Sequence, residues 1–182
     1  MVYLVRHAHS PHTPDEMREL SPAGHAAAKH VADLLEGSAV SRIVSSPYTR
    51  AIQTVQPLAD RLGVAVEIEP DLRERLLCTE VLADFHGALE RVWRDFDVCY
   101  PGGESSAAAQ DRVRNAIERI VDGSDGRHVV VASHGNALAL FLRTLDAAVD
   151  VAFWARMTTP DVYVVDVASA RPWTYRRIWT TA

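Results

Sequence analysis

The sequence predicts an α/β fold: a three-layer α/β/α sandwich built on a mostly parallel sheet with an antiparallel edge. Three observations predict it. Short apolar runs rich in β-branched residues, such as residues 2–5 and 128–132, alternate with longer segments of helical periodicity. These runs are continuous rather than alternating, the mark of strands covered on both faces. The last two, residues 162–167 and 173–179, flank Ala170-Arg171-Pro172 and read as a hairpin, which supplies the antiparallel edge.

Each element has its own justification. Val2, Tyr3, Leu4 and Val5 form a buried strand that empties into the polar loop Arg6-His7-Ala8-His9-Ser10-Pro11. Ser21 is a helix N-cap with Pro22 at the first helical position; Ala27, Val31, Leu34 and Leu35 follow at helical spacing, and Gly37 stops the helix. Residues 42–44 make a second strand running into Ser45-Ser46-Pro47. The next helix carries Ile52, Val55, Ala59 and Leu62, is kinked at Pro57 and closes at Gly63. Residues 64–68 give a third strand, followed by the charged run from Asp71 to Arg75. A helix is expected from about Thr79 to Asp97, broken by Tyr100-Pro101-Gly102-Gly103. Another, capped by Ser105 or Ser106, is striped by Val113, Ile117, Ile120 and Val121. Residues 128–132 are the strongest strand of the chain, and at Ser133-His134-Gly135 they give way to a helix carrying Leu138, Phe141, Leu142 and Leu145.

At 182 residues the chain is expected to be one domain. A composition of 48% apolar and 24% charged residues allows a sizeable core and excludes disordered and collagen-like classes. Nineteen Lys and Arg, of which only Lys29 is lysine, face 24 Asp and Glu for a net charge of −5. Nucleic acid is therefore not an expected partner, and any affinity for anions must be local. Cys78 and Cys99 stand far apart without metal-ligand spacing, and the start lacks the apolar region of a secretory leader. With no apolar run near the roughly 18 residues that span a bilayer, the expectation is a cytoplasmic protein with no membrane partner.

Chemistry is expected at the strand ends, because ligands of open α/β sheets collect beyond the carboxyl ends of the strands. Arg6 and His7 follow the first strand, Arg50 the loop after the second, Glu74 the third, and Ser133 and His134 the late strong strand. A parallel sheet would bring two imidazoles, two guanidiniums and a carboxylate to one rim.

These residues resemble the histidine phosphatase superfamily, also called the phosphoglycerate mutase-like family. Arg6-His7-Ala8 is similar to its Arg-His-Gly signature except at Ala8, and Ser10 stands where the family often has Ser or Thr. Residues 45–54 resemble the family's second arginine segment, Leu72-Arg73-Glu74 its Leu-x-Glu acid motif, Gly102-Gly103-Glu104-Ser105 its Gly-Gly-Glu-Ser turn, and Ser133-His134-Gly135 its second histidine motif. The resemblance runs in order from Val2 to about Leu142. It implies a phosphomonoesterase that needs neither metal nor cofactor. His7 would attack phosphorus to form a phosphohistidine, with Arg6, Arg50 and His134 holding the phosphoryl oxygens and Ser10 adding a contact. The cations Arg6 and Arg50 disfavour the imidazolium and so keep the nucleophile ready. Glu74 would protonate the leaving oxygen and then take a proton from the hydrolytic water. The substrate implied is a small-molecule phosphomonoester or a phosphoprotein, selected by loops that include a substrate-cap insertion around residues 76–101.

Other readings compete. Phosphoglycerate mutase-type transfer is less expected than hydrolysis, because the chain is short for a mutase. Ala8 also occurs in phosphohistidine-directed phosphatases of the same superfamily, which keeps a phosphohistidine-protein phosphatase open. His7, His9 and His12 followed by Asp15 form a pattern that could hold zinc, although that reading leaves Arg50 and Ser133-His134-Gly135 without a role. A non-catalytic phosphate-binding module is the remaining class. Around the site, Arg73 and Arg75 are expected as exposed partners of Glu80 or Asp84, with a substrate role as the alternative, Trp93 and Phe96 as core, with lining of a substrate cap as the alternative, and Glu104 and Ser105 as residues of the turn and helix start.

Overall fold

Side chains that alternate across six strands divide the interior into two cores. The structure, a computed structural model, describes residues 1–13, 16–168 and 171–180. Its strands are β1 (Val2–Arg6), β2 (Val40–Ser45), β3 (Val66–Ile68), β4 (His128–Ser133), β5 (Asp161–Asp166) and β6 (Thr174–Arg177), in the spatial order β3-β2-β4-β1-β5-β6. The first four run parallel; β5 is antiparallel to β1, and β6 to β5, so the expected hairpin edge is present. The helices are α1 (Pro22–Leu35), α2 (Thr49–Leu62), α3 (Phe85–Arg94), α4 (Ser106–Asp122), α5 (Gly135–Leu145) and α6 (Val151–Arg156).

Tyr3, Val5, Ile43 and Val130 point to one face, where Val31 and Leu35 of α1 and Val55 and Leu58 of α2 cover them. Val2, Leu4, Val44 and Val131 point to the other and pack on α4 and α5 through Ile117, Leu138 and Phe141. Period-two alternation in the strands and the 3.6-residue stripe of the helices thus meet in a three-layer sandwich. No helix among the described residues is long and apolar enough to cross a membrane.

Several local expectations need correction. The buried stripe of α1 is Gly24, Ala28, Val31, Ala32 and Leu35, while Leu34 is exposed. Helix α2 runs through Pro57 to Gly63, whose left-handed φ of 66° closes it. The helix expected from Thr79 begins only at Phe85, because residues 79–84 bury no side chain and the Asp84 carboxylate accepts the Gly87 N–H at 2.8 Å as a cap. Residues 76–79 instead lie as a strap against the turn at 101–104, with Glu104 N donating to Leu76 O at 2.8 Å and Thr79 N to Pro101 O at 3.3 Å. Ser105, not Ser106, caps α4, since the buried Ser106 hydroxyl donates to Val92 O. Helix α6, capped by Asp150, was not anticipated.

Candidate active site

Strand β4 lies between β1 and β2, so the loops leaving these three carboxyl ends emerge side by side. The ladder continues past the strands: His7 N donates to Ser133 O at 3.0 Å and Ser46 N to Ala132 O at 2.9 Å. His7, His134 and the 46–50 turn therefore become neighbours by backbone register alone. The rings of His7 and His134 meet edge to face with centroids 5.3 Å apart. Tyr48 packs 4.8 Å from His134, and the Arg50 guanidinium covers the Tyr48 ring at 4.6 Å.

Arg6, His7, Ser10, Arg50 and Glu74 line one cavity of about 390 Å³. His134 is fully buried beside His7, its Nε2 hydrogen-bonded to Ser46 Oγ at 2.7 Å and its Nδ1 without a partner among the described residues. A cleft of about 450 Å³ between α4, α5 and the hairpin, lined by Phe141 and Trp173, gathers none of these groups.

The tautomer of His7 follows from its surroundings. Its Nδ1 lies 2.8 Å from Ala8 O, and a carbonyl can only accept, so Nδ1 carries the proton and Nε2 keeps a free lone pair. Burial, reinforced by the charges of Arg50, Arg6 and Arg18, lowers the imidazole to about 3, although the bond to Ala8 acts in the opposite direction. Burial likewise holds His134 well below its ordinary value, with His7 and the same cations adding to the effect.

Among the described residues, the Arg6 and Arg50 guanidiniums have no carboxylate partner at hydrogen-bond range. Arg50 is only 4% exposed, with no partner for Nε or Nη1 among the described residues; burial, helped by the nearby charge of Arg18, lowers it to about 10. Arg6 donates from Nη1 to Met157 O at 2.8 Å, which the unanticipated α6 brings into place, and its Nε has no partner among the described residues. Gly135 makes this packing possible, since a Cβ there would stand 3.0 Å from Arg6 Cζ and 2.9 Å from Trp154 Nε1. Ala8 replaces the usual glycine without strain: its φ is not positive, and its methyl is buried against Leu20 and Ala28. Ala8 N donates to Thr54 Oγ1, which donates in turn to Arg50 O, tying the His7 loop to the Arg50 helix.

Glu74 sits where α5 begins. Its Oε1 accepts from Ala137 N at 2.9 Å and Arg75 N at 2.9 Å, and its Oε2 accepts from Asn136 N at 3.1 Å. The carboxylate thus occupies the N–H groups that the first turn of α5 cannot satisfy internally. The strap carrying Glu74 is fixed from behind by Arg112, which pairs with both oxygens of Glu104 at 2.8 and 2.6 Å and donates to Asp71 O and Arg73 O. Ser133 Oγ adds a bond to Leu72 O at 2.7 Å.

Two further arginines line the cavity, of which the sequence reading missed Arg18. Arg18 lines the cavity, donates to Thr13 O and has no partner for Nε among the described residues. Its position in an irregular loop left no periodic signal. Arg75, expected as an exposed partner of Glu80 or Asp84, is instead 5% exposed and donates to Ser106 Oγ and Asn136 Oδ1. Arg73 pairs with Asp71 and Glu104 rather than with Glu80 or Asp84. Ser10 does line the cavity, but its hydroxyl proton is committed to Glu19 O at 2.7 Å. Trp93 is core as expected, with Phe96 packed against it. His9 and His12 reach the cavity, yet among the described residues no three His, Cys, Asp or Glu side chains are grouped to hold a metal ion, and Asp15 lies outside the described residues.

A sheet whose parallel strands deliver two imidazoles and two guanidiniums to one rim defines an α/β protein with its polar site beyond the carboxyl ends of the strands. The chain belongs to the histidine phosphatase superfamily (branch 1), whose family profile matches residues 2–179. Among curated relatives it is 34% identical over 122 residues to the bifunctional protein Rv2228c of Mycobacterium tuberculosis, covering 63% of this chain and 34% of that protein. The chain thus spans about a third of the length of that relative. It is 32% identical over 132 residues to phosphoglycerate mutase-like protein 4 of Arabidopsis thaliana, covering 66% of this chain and 57% of the relative. Among solved structures, a mycobacterial glucosyl-3-phosphoglycerate phosphatase superposes with a TM-score of 0.77 at 24% identity, covering 100% of this chain and 98% of its own. A phosphoserine phosphatase from Entamoeba histolytica superposes at 0.70 with 20% identity and 92% of each chain covered.

Proposed function

We propose that the protein is a metal-independent phosphomonoesterase that works through a phosphohistidine on His7. One observation carries this reading: His7 Nδ1 lies 2.8 Å from Ala8 O, which leaves Nε2 free beside the Arg6 and Arg50 guanidiniums, and these have no carboxylate partner at hydrogen-bond range among the described residues. Nε2 attacks phosphorus in line with the leaving oxygen, the P–O bond breaks, and Glu74 supplies the proton that the leaving oxygen takes up. Water then attacks the phosphohistidine, Glu74 accepts its proton, and inorganic phosphate leaves with His7 restored. Arg6, Arg50 and Arg18 hold the phosphoryl oxygens, and the unpaired Nδ1 of His134 offers a further contact beside His7. The 76–101 segment serves as substrate cap within one domain. The names of similar proteins, which include phosphatases of phosphoserine and of glucosyl-3-phosphoglycerate, support a small phosphate ester as substrate.

Hydrolysis of p-nitrophenyl phosphate in EDTA tests the reading. The wild type is expected to turn over, and His7→Ala to lose more than about a thousandfold. The alkali-quenched wild type is expected to carry one acid-labile phosphoryl group per chain. Equal rates for the two proteins would overturn the nucleophile assignment, and loss of activity in EDTA would overturn metal independence.

A further inference from the structure

The cavity lining changes character along the chain. Residues 6–50 contribute Arg6, Arg18 and Arg50 with three histidines, whereas residues 76–89 contribute Leu76, Leu77, Cys78, Phe85 and Leu89 and no charged side chain. The side on which this apolar group stands follows from the reaction. In an in-line displacement the leaving group departs opposite Nε2 of His7, and the acid that protonates it must lie within hydrogen-bond reach. Glu74, Leu76, Leu77 and Phe85 line the same cavity, so an alcohol protonated by Glu74 departs into a space that this apolar group also lines. Arg75, the guanidinium next in sequence, also lines the cavity and is held by Ser106 Oγ and Asn136 Oδ1.

The apolar lining is half uncovered. Leu77 and Leu89 are buried at 8% and 2% exposure, but Leu76 and Phe85, resting over the same cavity, are 50% and 51% exposed. Their presentation is fixed by backbone: Glu104 N holds Leu76 O, a Cβ at Gly103 would stand 2.2 Å from Leu77 O, and Asp84 caps α3 so that Phe85 is its first residue. Two large apolar side chains held open to water at the mouth of an otherwise cationic cavity make a surface that an apolar ligand group would cover.

We infer that the substrate is a phosphomonoester of an uncharged, apolar alcohol, whose alkyl or aryl group is seated on Leu76 and Phe85. The inference rests on the phosphatase reading above and specifies its leaving group. A straight-chain alkyl phosphate series from ethyl to octyl tests it, because the leaving alcohols are chemically matched and only apolar contact grows. In the wild type kcat/KM is expected to rise at least about tenfold from ethyl to hexyl phosphate, and glycerol 3-phosphate to fall below butyl phosphate. In the double variant Leu76→Ser, Phe85→Ser that hexyl-to-ethyl ratio is expected to fall to within about twofold of unity. Calorimetric binding of hexylphosphonate against ethylphosphonate is expected to show the same ratio without turnover. Hydrolysis with no chain-length gradient, or with glycerol 3-phosphate preferred, overturns the inference and leaves the phosphatase reading standing. A phosphonate gradient with no hydrolysis of any ester overturns the phosphatase reading and leaves the apolar subsite standing.

Discussion

A single methylene-sized volume decides how Arg6 is held. Gly135 is the one residue at the start of α5 whose missing Cβ leaves room for the Arg6 guanidinium and the Trp154 indole together. Gly135→Ala is expected to push Arg6 off Met157 O and weaken phosphate or vanadate binding by about tenfold or more, measured by calorimetry, with only a modest loss of thermal stability. Unchanged affinity would mean that Arg6 does not hold the anion. At this scale the sequence was readable where a residue's place was set by strand ends: Arg6, His7, Glu74 and His134 each follow a strand, and the ladder does the rest. It was silent on Arg18 and misleading on Arg75. A charged side chain in a loop defaults to solvent, and nothing in residues 71–75 reveals that Ser106 and Asn136 draw one guanidinium inward.

The strap from Leu72 to Thr79 owes its path to a pair on other elements. Arg112 of α4 and Glu104, with side chains 9% and 18% exposed, form a two-bond ion pair that also grips the backbone ahead of Glu74. Removing one partner of such a mostly buried pair leaves the other uncompensated, so Arg112→Met is expected to destabilise the fold by about 3 kcal/mol in urea titrations. Loosening the Glu74 carboxylate is also expected to lower kcat by about a hundredfold at little change in KM. A stable variant with normal kcat would show that α5 alone positions Glu74. Of the strap only Thr79 falls within the helix expected from about Thr79 to Asp97, which begins at Phe85 instead. The local propensity of residues 79–84 permits a helix, but of their side chains only Leu82 packs, in part, against the core, and the Thr79 N–H goes to Pro101 O instead. Helix α6 is six residues long with no buried side chain, too little pattern to register.

Across the whole molecule, a net charge of −5 conceals a cavity that, among the described residues, is lined by Arg6, Arg18, Arg50 and Arg75 against the single carboxylate of Glu74. The composition allowed only a local affinity for anions, and the strand order β2-β4-β1, invisible in sequence, is what makes it local. The two imidazoles, His134 buried and His7 partly buried, also couple the site to global stability. His7 is lowered to about 3 from an ordinary 6.5, so between these values the unfolded chain binds the proton and the folded one does not. The His7 contribution is therefore whole above about pH 6.5 and is lost as pH falls toward 3, with His134 acting in the same direction. Melting temperatures taken from pH 7 to 4 are expected to fall less steeply for His7→Asn than for the wild type; parallel slopes would show that His7 is not held neutral by the fold. The uncompensated arginines carry one more consequence. Their grip is addressed to oxygens that survive bond cleavage, so orthophosphate inherits much of the affinity that drew the ester in. On the proposed function, ambient phosphate would then compete with the ester for the same cleft.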